Sequence, residues 1–261
     1  MQQRKEQELL ERLQMEGVLR TSEVMEALDI SESTARRLFL KLEKEGKALR
    51  IHGGIRYASH SLLEYSFEEV AKNEVEEKKA IADLACEQLC DGDVIFCDSG
   101  TTLRCFCMEL ARRLEQKPLD ILVYTNSLAN FEVLISHIPV ILVGGEFRSN
   151  RRDFCGFLAE DLVSRVHFTK SFLGTDGCNF NGYFTTTDFN TARMDEIAAH
   201  NSKEVTILCA SGKFSSYAHL GYIQFSEVDK VITDDRISPE VRQKLKDCGM
   251  QVLTAKVGET E

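Results

Sequence analysis

A chain of 261 residues, 43% hydrophobic and 28% charged, is long enough for about two domains that each bury a core. The apolar runs are strand-sized and the amino terminus MQQRKEQELL is charged, which argues against a membrane span or a secretory signal and for a cytoplasmic protein. The net charge of −10 is uneven: residues 1–58 hold 11 basic and 10 acidic side chains, the remaining 203 hold 21 and 32, so a near-neutral module precedes an acidic one.

The nine cysteines form no CxxC pair and the six histidines no HxH or HxxxH pair. No metal and no cofactor is therefore expected, and the cysteines read as buried free thiols.

In chain order, three short helices are predicted first, at Arg4 to Glu16, Ser22 to Leu28 and Ser31 to Glu45, with Gly17 and Gly46 as stops. In the third, Ser31 is the expected N-cap. Ala35, Leu38, Phe39 and Leu42 recur at helical spacing as one buried stripe, which leaves Ser33, Arg36, Arg37, Lys41 and Lys44 largely on the other side. Only Asp29 and Ile30 separate the second and third helices. That is the helix-turn-helix arrangement, whose second helix enters the DNA major groove. After Gly46, ALRIHGGIRY places two β-prone pieces around a glycine pair, a hairpin that reads as a wing. Arg36 to Arg56 holds seven basic residues against two acids, a local basic patch on an acidic protein. The DNA-contacting set expected from this is Ser31, Ser33, Thr34, Arg36, Arg37, Lys41, Arg50 and His52. A basic helix face alone is most often only solvated; the tight turn, the basic bias and the glycine hairpin together favour DNA.

At these residues the chain resembles the DeoR-type bacterial transcriptional regulators. Ser31, Thr34, Arg36, Arg37, Leu42, Gly46, Arg50, His52, Gly53 and Gly54 match that family's winged-helix pattern. The family usually has an acid directly after the paired arginines, where this chain has Leu38.

Residues 59–77, SHSLLEYSFEEVAKNEVEE, are rich in glutamate and lack a regular apolar period until the end, so they read as a linker. The expected organisation is a winged helix-turn-helix at 1–58, the linker at 59–77 and an α/β domain at 78–261. In the last, strand-like and helical pieces alternate: helix Lys79 to Leu89, strand Val94 to Cys97, helix Leu103 to Leu114, strand Ile121 to Tyr124, helix Ser127 to Ile135 and strand Val140 to Val143. Further strands are predicted at Ser171 to Gly174, Val205 to Cys209, Lys230 to Thr233 and Gln251 to Thr254. The rhythm implies a mostly parallel sheet covered by helices on both faces, with ligands bound at the carboxyl ends of its strands.

Polar and glycine residues gather at those ends. After one strand, Gly100 lets the backbone approach a ligand, Ser99, Thr101 and Thr102 offer hydroxyls, and the next helix offers its free amides, a combination that suits an anion. Asp98 either fixes this loop or accepts sugar hydroxyls. Thr125, Asn126 and Ser127, Gly144 and Gly145, Gly174 and Asp176, and Lys213 follow the other strands, with Lys213 as an added point charge. DSGTT by itself is also consistent with a plain strand-to-helix turn.

The resemblance to DeoR-type regulators extends over these motifs, "GD.IF.DSGTT", "TNSL", "V.L.GG.FR", "G..G" and "SKF", and so over nearly the whole chain. It implies an effector domain with a fold similar to pentose-phosphate isomerases, a phosphorylated sugar or polyol as effector, double-stranded DNA operator as partner, repression of a sugar or polyol catabolic operon, and a homodimer or homotetramer. It adds Lys78, at the linker's end, to the effector-binding candidates. The family commonly reads Asp-(Ser or His)-Ser-Lys-Phe where this chain has Ala210-Ser-Gly212-Lys-Phe, so a carboxylate and a hydroxyl are missing there. No catalytic residue is assigned. The competing reading is an isomerase-like enzyme carrying a DNA-binding domain, with Asp98, Asp176 and Lys213 available for proton transfer.

Overall fold

The computed structural model describes residues 5–6, 8–10, 12–13, 18–44, 48–51, 53–57, 65–216 and 218–258. They fall into two compact units, Met1–Glu64 and Tyr65–Glu261. The division lies inside the stretch 59–77, and from Tyr65 onward the chain belongs to the second unit.

In the first unit, described residues between 5 and 13 are helical, followed by helices Thr21–Leu28 and Glu32–Lys44. Asp29 closes the first of these two in the left-handed conformation (φ 47°), its amide on the Met25 carbonyl, and only Asp29, Ile30 and Ser31 separate the helices. Ser31 caps the next helix, its Oγ accepting from the Thr34 amide at 3.4 Å and lying 3.0 Å from the Thr34 hydroxyl. The predicted stripe is the core: Ala35, Leu38, Phe39 and Leu42 are buried with Leu9, Leu13, Leu19, Val24 and Ile55. Leu38 is packed in it at 2% exposure.

The wing has three strands, with Gly54–Tyr57 between Val18–Arg20 and Ala48–Ile51, all antiparallel. Val18–Arg20 is not expected from sequence, since three residues carry no measurable alternation. Its pairing explains the glycine pair. Gly53 (φ 79°) makes the turn, while Gly54 is there for close approach, because a Cβ would stand 2.3 Å from the Leu19 carbonyl oxygen.

The second unit is built on a seven-stranded, all-parallel sheet in the order Gln251–Ala255, Lys230–Asp234, Ser202–Leu208, Phe168–Leu173, Val94–Cys97, Leu122–Thr125, Val140–Leu142. One apolar cluster lies on each face, as a parallel sheet buried on both sides requires. The chain starts at Val94–Cys97, runs outward to Val140–Leu142, then returns to Phe168–Leu173 and runs the other way. The order reverses between the two central strands, which creates a crevice at their carboxyl ends.

Elements that sequence alone does not indicate surround that crevice: the hairpin Glu146–Arg148 with Asp153–Cys155, and an antiparallel sheet of Gly177–Asn179, Tyr183–Thr186 and Leu220–Gln224. The helix expected from Lys79 begins earlier and spans Val75–Cys86. The thiols also depart in part from expectation: Cys90 and Cys248 are exposed and Cys105 is half-buried, while the other six are buried. No helix among the described residues is long and apolar enough to cross a membrane.

Phe172, at the centre of the sheet, is fully buried with its ring 4.7 Å from that of Phe106. Phe172→Ala should cost about 3–5 kcal/mol of stability through the cavity it leaves, measured by urea denaturation of the full chain.

Candidate functional site

On the helix Glu32–Lys44, Ser31, Ser33, Arg36, Arg37 and Lys41 are exposed and Thr34 is half-buried, so the polar face is presented as the periodicity implies. Several cations on it already have partners. Arg36 forks onto Glu32 (2.6 and 2.9 Å) and Arg50 binds Glu43 (2.7 Å), holding that carboxyl below its usual range. Such exposed pairs are worth about 0–1 kcal/mol, so a phosphate replaces them cheaply. Lys41 differs: its ammonium is 2.5 Å from Glu6, which is only 8% exposed, and leaving it would strand a buried carboxylate. Arg37 makes no ion pair among the described residues. His52 and Gly46 lie outside the described residues, as do the side chains of Lys44 and Arg56.

In the second unit, a cleft of about 720 Å³, counting the solvent at its mouth, opens at the carboxyl ends of the two central strands and their neighbour Ser202–Leu208. It is lined by Lys78, Asp98, Ser99, Gly100, Thr101, Thr102, Gly174, Asp176 and Lys213 of the expected set. The helix Thr101–Gln116 starts at its wall. Its N-cap, Gly100, has φ 114° and ψ 163°, a conformation reserved for glycine, and no side chain caps the first amides. A 16-residue helix with uncapped amides at a cleft wall has the partial positive charge and free donors that suit an anion.

Asp98 is a structural bridge. Its Oδ1 accepts from the Ser99 amide (2.5 Å) and its Oδ2 from the Gly174 amide (3.2 Å), joining the two loops across the switch point at 2% exposure. Burial pushes its carboxyl up to about 7, with the charge of Asp153 acting the same way and the two amides opposing. Asp195 lies behind it. Burial and then the charge of Asp98 raise that carboxyl too. Ser99 gives its hydroxyl to Asp153 (3.0 Å), so of the loop's side chains it is the two threonines that remain for a ligand.

Lys78 is 3% exposed and donates to the carbonyls of Val70 (2.8 Å) and Asn73 (2.6 Å); burial pulls its ammonium below the usual lysine range, against the raising pull of Glu74. It thereby fastens the segment 65–74, a strap that forms part of the cleft wall. Lys213 stands 4.0 Å from Asp176 Oδ1, and Asp176 Oδ2 accepts from Thr186 and Thr187.

The structure does not bring the other five residues to the cleft. Thr125 and Ser127 are fully buried and build the next turn: Ser127 caps Leu128–Leu134 by accepting from the Asn130 amide, and Thr125 Oγ1 accepts from the Ser127 amide. Asn126 donates to the Phe154 carbonyl. Gly145 is needed for packing, because a Cβ there would stand 2.4 Å from the Cys155 carbonyl oxygen; Gly144 does not line the cleft either.

Residues that sequence reasoning missed come from the 146–155 hairpin and the strap. Arg148 binds Asp153 through two nitrogens (2.7 and 2.8 Å) and Asp188 through a third (2.6 Å). Arg151 lines the cleft with its guanidinium 4.3 Å over the Tyr65 ring. Their signal was present, since EFRSNRRDF puts three arginines within five residues of an acidic domain.

The description "DeoR C terminal sensor domain" matches residues 73–235, and "DeoR-like helix-turn-helix domain" matches residues 5–61. A lactose phosphotransferase system repressor from Lactococcus lactis subsp. lactis is 34% identical over 240 residues, covering 91% of this chain and 92% of that protein. A protein of the same description from Staphylococcus epidermidis is 34% identical over 226 residues, 84% of this chain and 86% of its own. Among solved structures, a ribose 5-phosphate isomerase from Methanocaldococcus jannaschii covers 54% of this chain and 55% of its own at 19% identity and a TM-score of 0.41.

The buried Asp98 has a pH signature. An unfolded chain ionises it near pH 4, while the folded protein keeps the proton to about 7. The neutral group's contribution is therefore whole below about pH 4, and stability declines as pH rises from about 4 to about 7. Asp98→Asn should flatten that decline, read as melting temperature against pH by calorimetry.

Proposed function

This chain belongs to the DeoR family, and we propose that it is a repressor of a sugar or polyol catabolic operon whose grip on DNA is set by a phosphorylated sugar or polyol in the cleft. The observation that carries this is the pairing, in one chain, of an exposed basic recognition helix with an uncapped helix N-terminus facing a cleft that Lys213 also lines. The relatives described as lactose phosphotransferase system repressors match it along both parts. We read the DNA-binding unit as a reader of one half-site and the working protein as a cytoplasmic homodimer or homotetramer, since such helices act in symmetric pairs.

For Asp98 and Asp176, the carboxylates that an isomerase-like enzyme would use here, the geometry favours binding without catalysis. A proton-moving base needs a free oxygen in reach of a substrate carbon. Both oxygens of Asp98 hold backbone amides at 2% exposure, and Asp176 holds the 186–187 turn with one oxygen while the other faces Lys213. A bound phosphate placed at Gly100 to Thr102 gains the helix amides and the threonine hydroxyls; Lys213 adds a unit charge.

Two measurements test this. In a thermal-shift series with hexose and pentose phosphates, the wild-type protein should melt higher with at least one of them, and Lys213→Ala should lose most of that shift; no shift with any sugar phosphate overturns the effector assignment. On duplex DNA, Arg37→Ala should weaken binding and lower the slope of log affinity against log salt by about 0.9 for a lost phosphate contact. An unchanged slope removes Arg37 from the interface.

A further inference from the structure

Glu74 combines a backbone conformation rare for its residue type with a place in the cleft wall. It is the N-cap of Val75–Cys86 and has φ 51° and ψ 43°, left-handed backbone for a residue with a long side chain. That region is disfavoured for such residues and persists where its surroundings hold it, often at ligand sites. Glu74 lines the cleft, half-buried; its carbonyl accepts from the Lys78 amide, but among the described residues its carboxylate makes no hydrogen bond and no ion pair. Its Oε1 lies over the loop that follows the strand Ser202–Leu208, 2.5 Å from where a Cβ on Gly212 would be. Only glycine at 212 leaves the carboxylate that place. Ala210 and Gly212, on the same loop, supply no polar side chain themselves.

The position opposes the anion seat. Glu74 sits over the end of Ser202–Leu208, and the uncapped helix follows Val94–Cys97, with Phe168–Leu173 between them in the sheet. Two strand spacings separate the sites by about 10 Å. A phosphate at one end and the far hydroxyls of a five- or six-carbon sugar at the other span such a gap. A carboxylate with both oxygens unclaimed is an acceptor for two hydroxyl donors.

We propose that Glu74 is the specificity-determining acceptor for the effector's hydroxyls, seated in the space that Gly212 leaves, while the effector's phosphate occupies the Gly100–Thr102 seat. This rests on the reading of the cleft as an effector site and names what that site selects: polyhydroxylated phosphates over inorganic phosphate. The side chain that selects comes from the strap, which is the piece of the sensor unit where the chain arrives from the DNA-binding unit.

The test is calorimetric titration of the full-length wild type, Glu74→Gln and Gly212→Ala with galactose 6-phosphate, glucose 6-phosphate, fructose 6-phosphate and inorganic phosphate. Gly212→Ala displaces the flexible end of Glu74 and no backbone, so it moves the carboxylate without touching the charge. The wild type should prefer at least one sugar phosphate to inorganic phosphate. Both variants should weaken that sugar phosphate by about ten- to a hundredfold, the range of a hydrogen bond to a charged group, and leave inorganic phosphate unchanged. Sugar-phosphate affinity unchanged from wild type in the variants overturns the assignment of Glu74, as does an equal loss of inorganic phosphate, which marks a merely structural role. A wild type that binds none of the four overturns the effector reading itself, and Glu74's role with it.

Discussion

The structure of the sensor unit depends on one buried carboxylate. Asp98 ends the first strand of the sheet and accepts amides from its own loop and from Gly174 at the end of the neighbouring strand. These two strands are where the chain reverses its direction of travel across the sheet, so nothing in local chain connectivity holds their loops together. The carboxylate does. With the bridge in place, Gly100 takes its left-handed turn and the helix Thr101–Gln116 begins with its amides directed to the cleft. Burial makes this bridge expensive to charge, and the amides only partly offset that cost, which is why its carboxyl is shifted so far.

Around the bridge the polar groups are layered. Ser99 hands its hydroxyl to Asp153, Asp153 is held by Arg148, and Arg148 reaches Asp188 at the cap of the helix Phe189–His200. Every link is a charge-assisted hydrogen bond in a poorly solvated region, where a broken partner leaves an unpaired charge. Outside this network, lining the same cleft, lie the helix amino terminus, the two threonines, Lys213 and Glu74, the groups proposed above to meet the effector. A cleft walled by such bonds leaves few polar groups free for a small molecule to meet.

The strap ties recognition to the rest of the chain. Segment 65–74 is fixed by the Lys78 ammonium on its carbonyls, by Phe67 at 1% exposure and by Tyr65 under Arg151. It supplies cleft-lining side chains and continues directly into residues that precede it in the other unit. Any ligand that moves Glu74 or Lys78 acts on that same segment, the kind of element whose equilibrium two sites can share.

The recognition-helix stripe, the order of strands and helices in the sheet unit and the place of DSGTT at a strand-to-helix turn were legible in the amino-acid sequence, because each rests on local periodicity or on a loop whose partners are adjacent in the chain. Only tertiary structure decided which strand ends meet. Thr125 to Ser127, Gly144 and Gly145 have the same loop chemistry as the residues of the cleft, yet they serve a cap, a turn and a close packing contact. Gly53 and Gly54 look alike in sequence and differ in task, because the strand that presses on Gly54 lies more than thirty residues earlier. Arg148, Arg151 and Glu74 carry no local pattern that names their partners; a salt bridge or an unfilled space over a glycine exists only between segments far apart in sequence. The sequence by itself determined the elements and their order. The fold determined which side chains are spent on structure and which line the cleft, because those pairings join segments far apart in the chain.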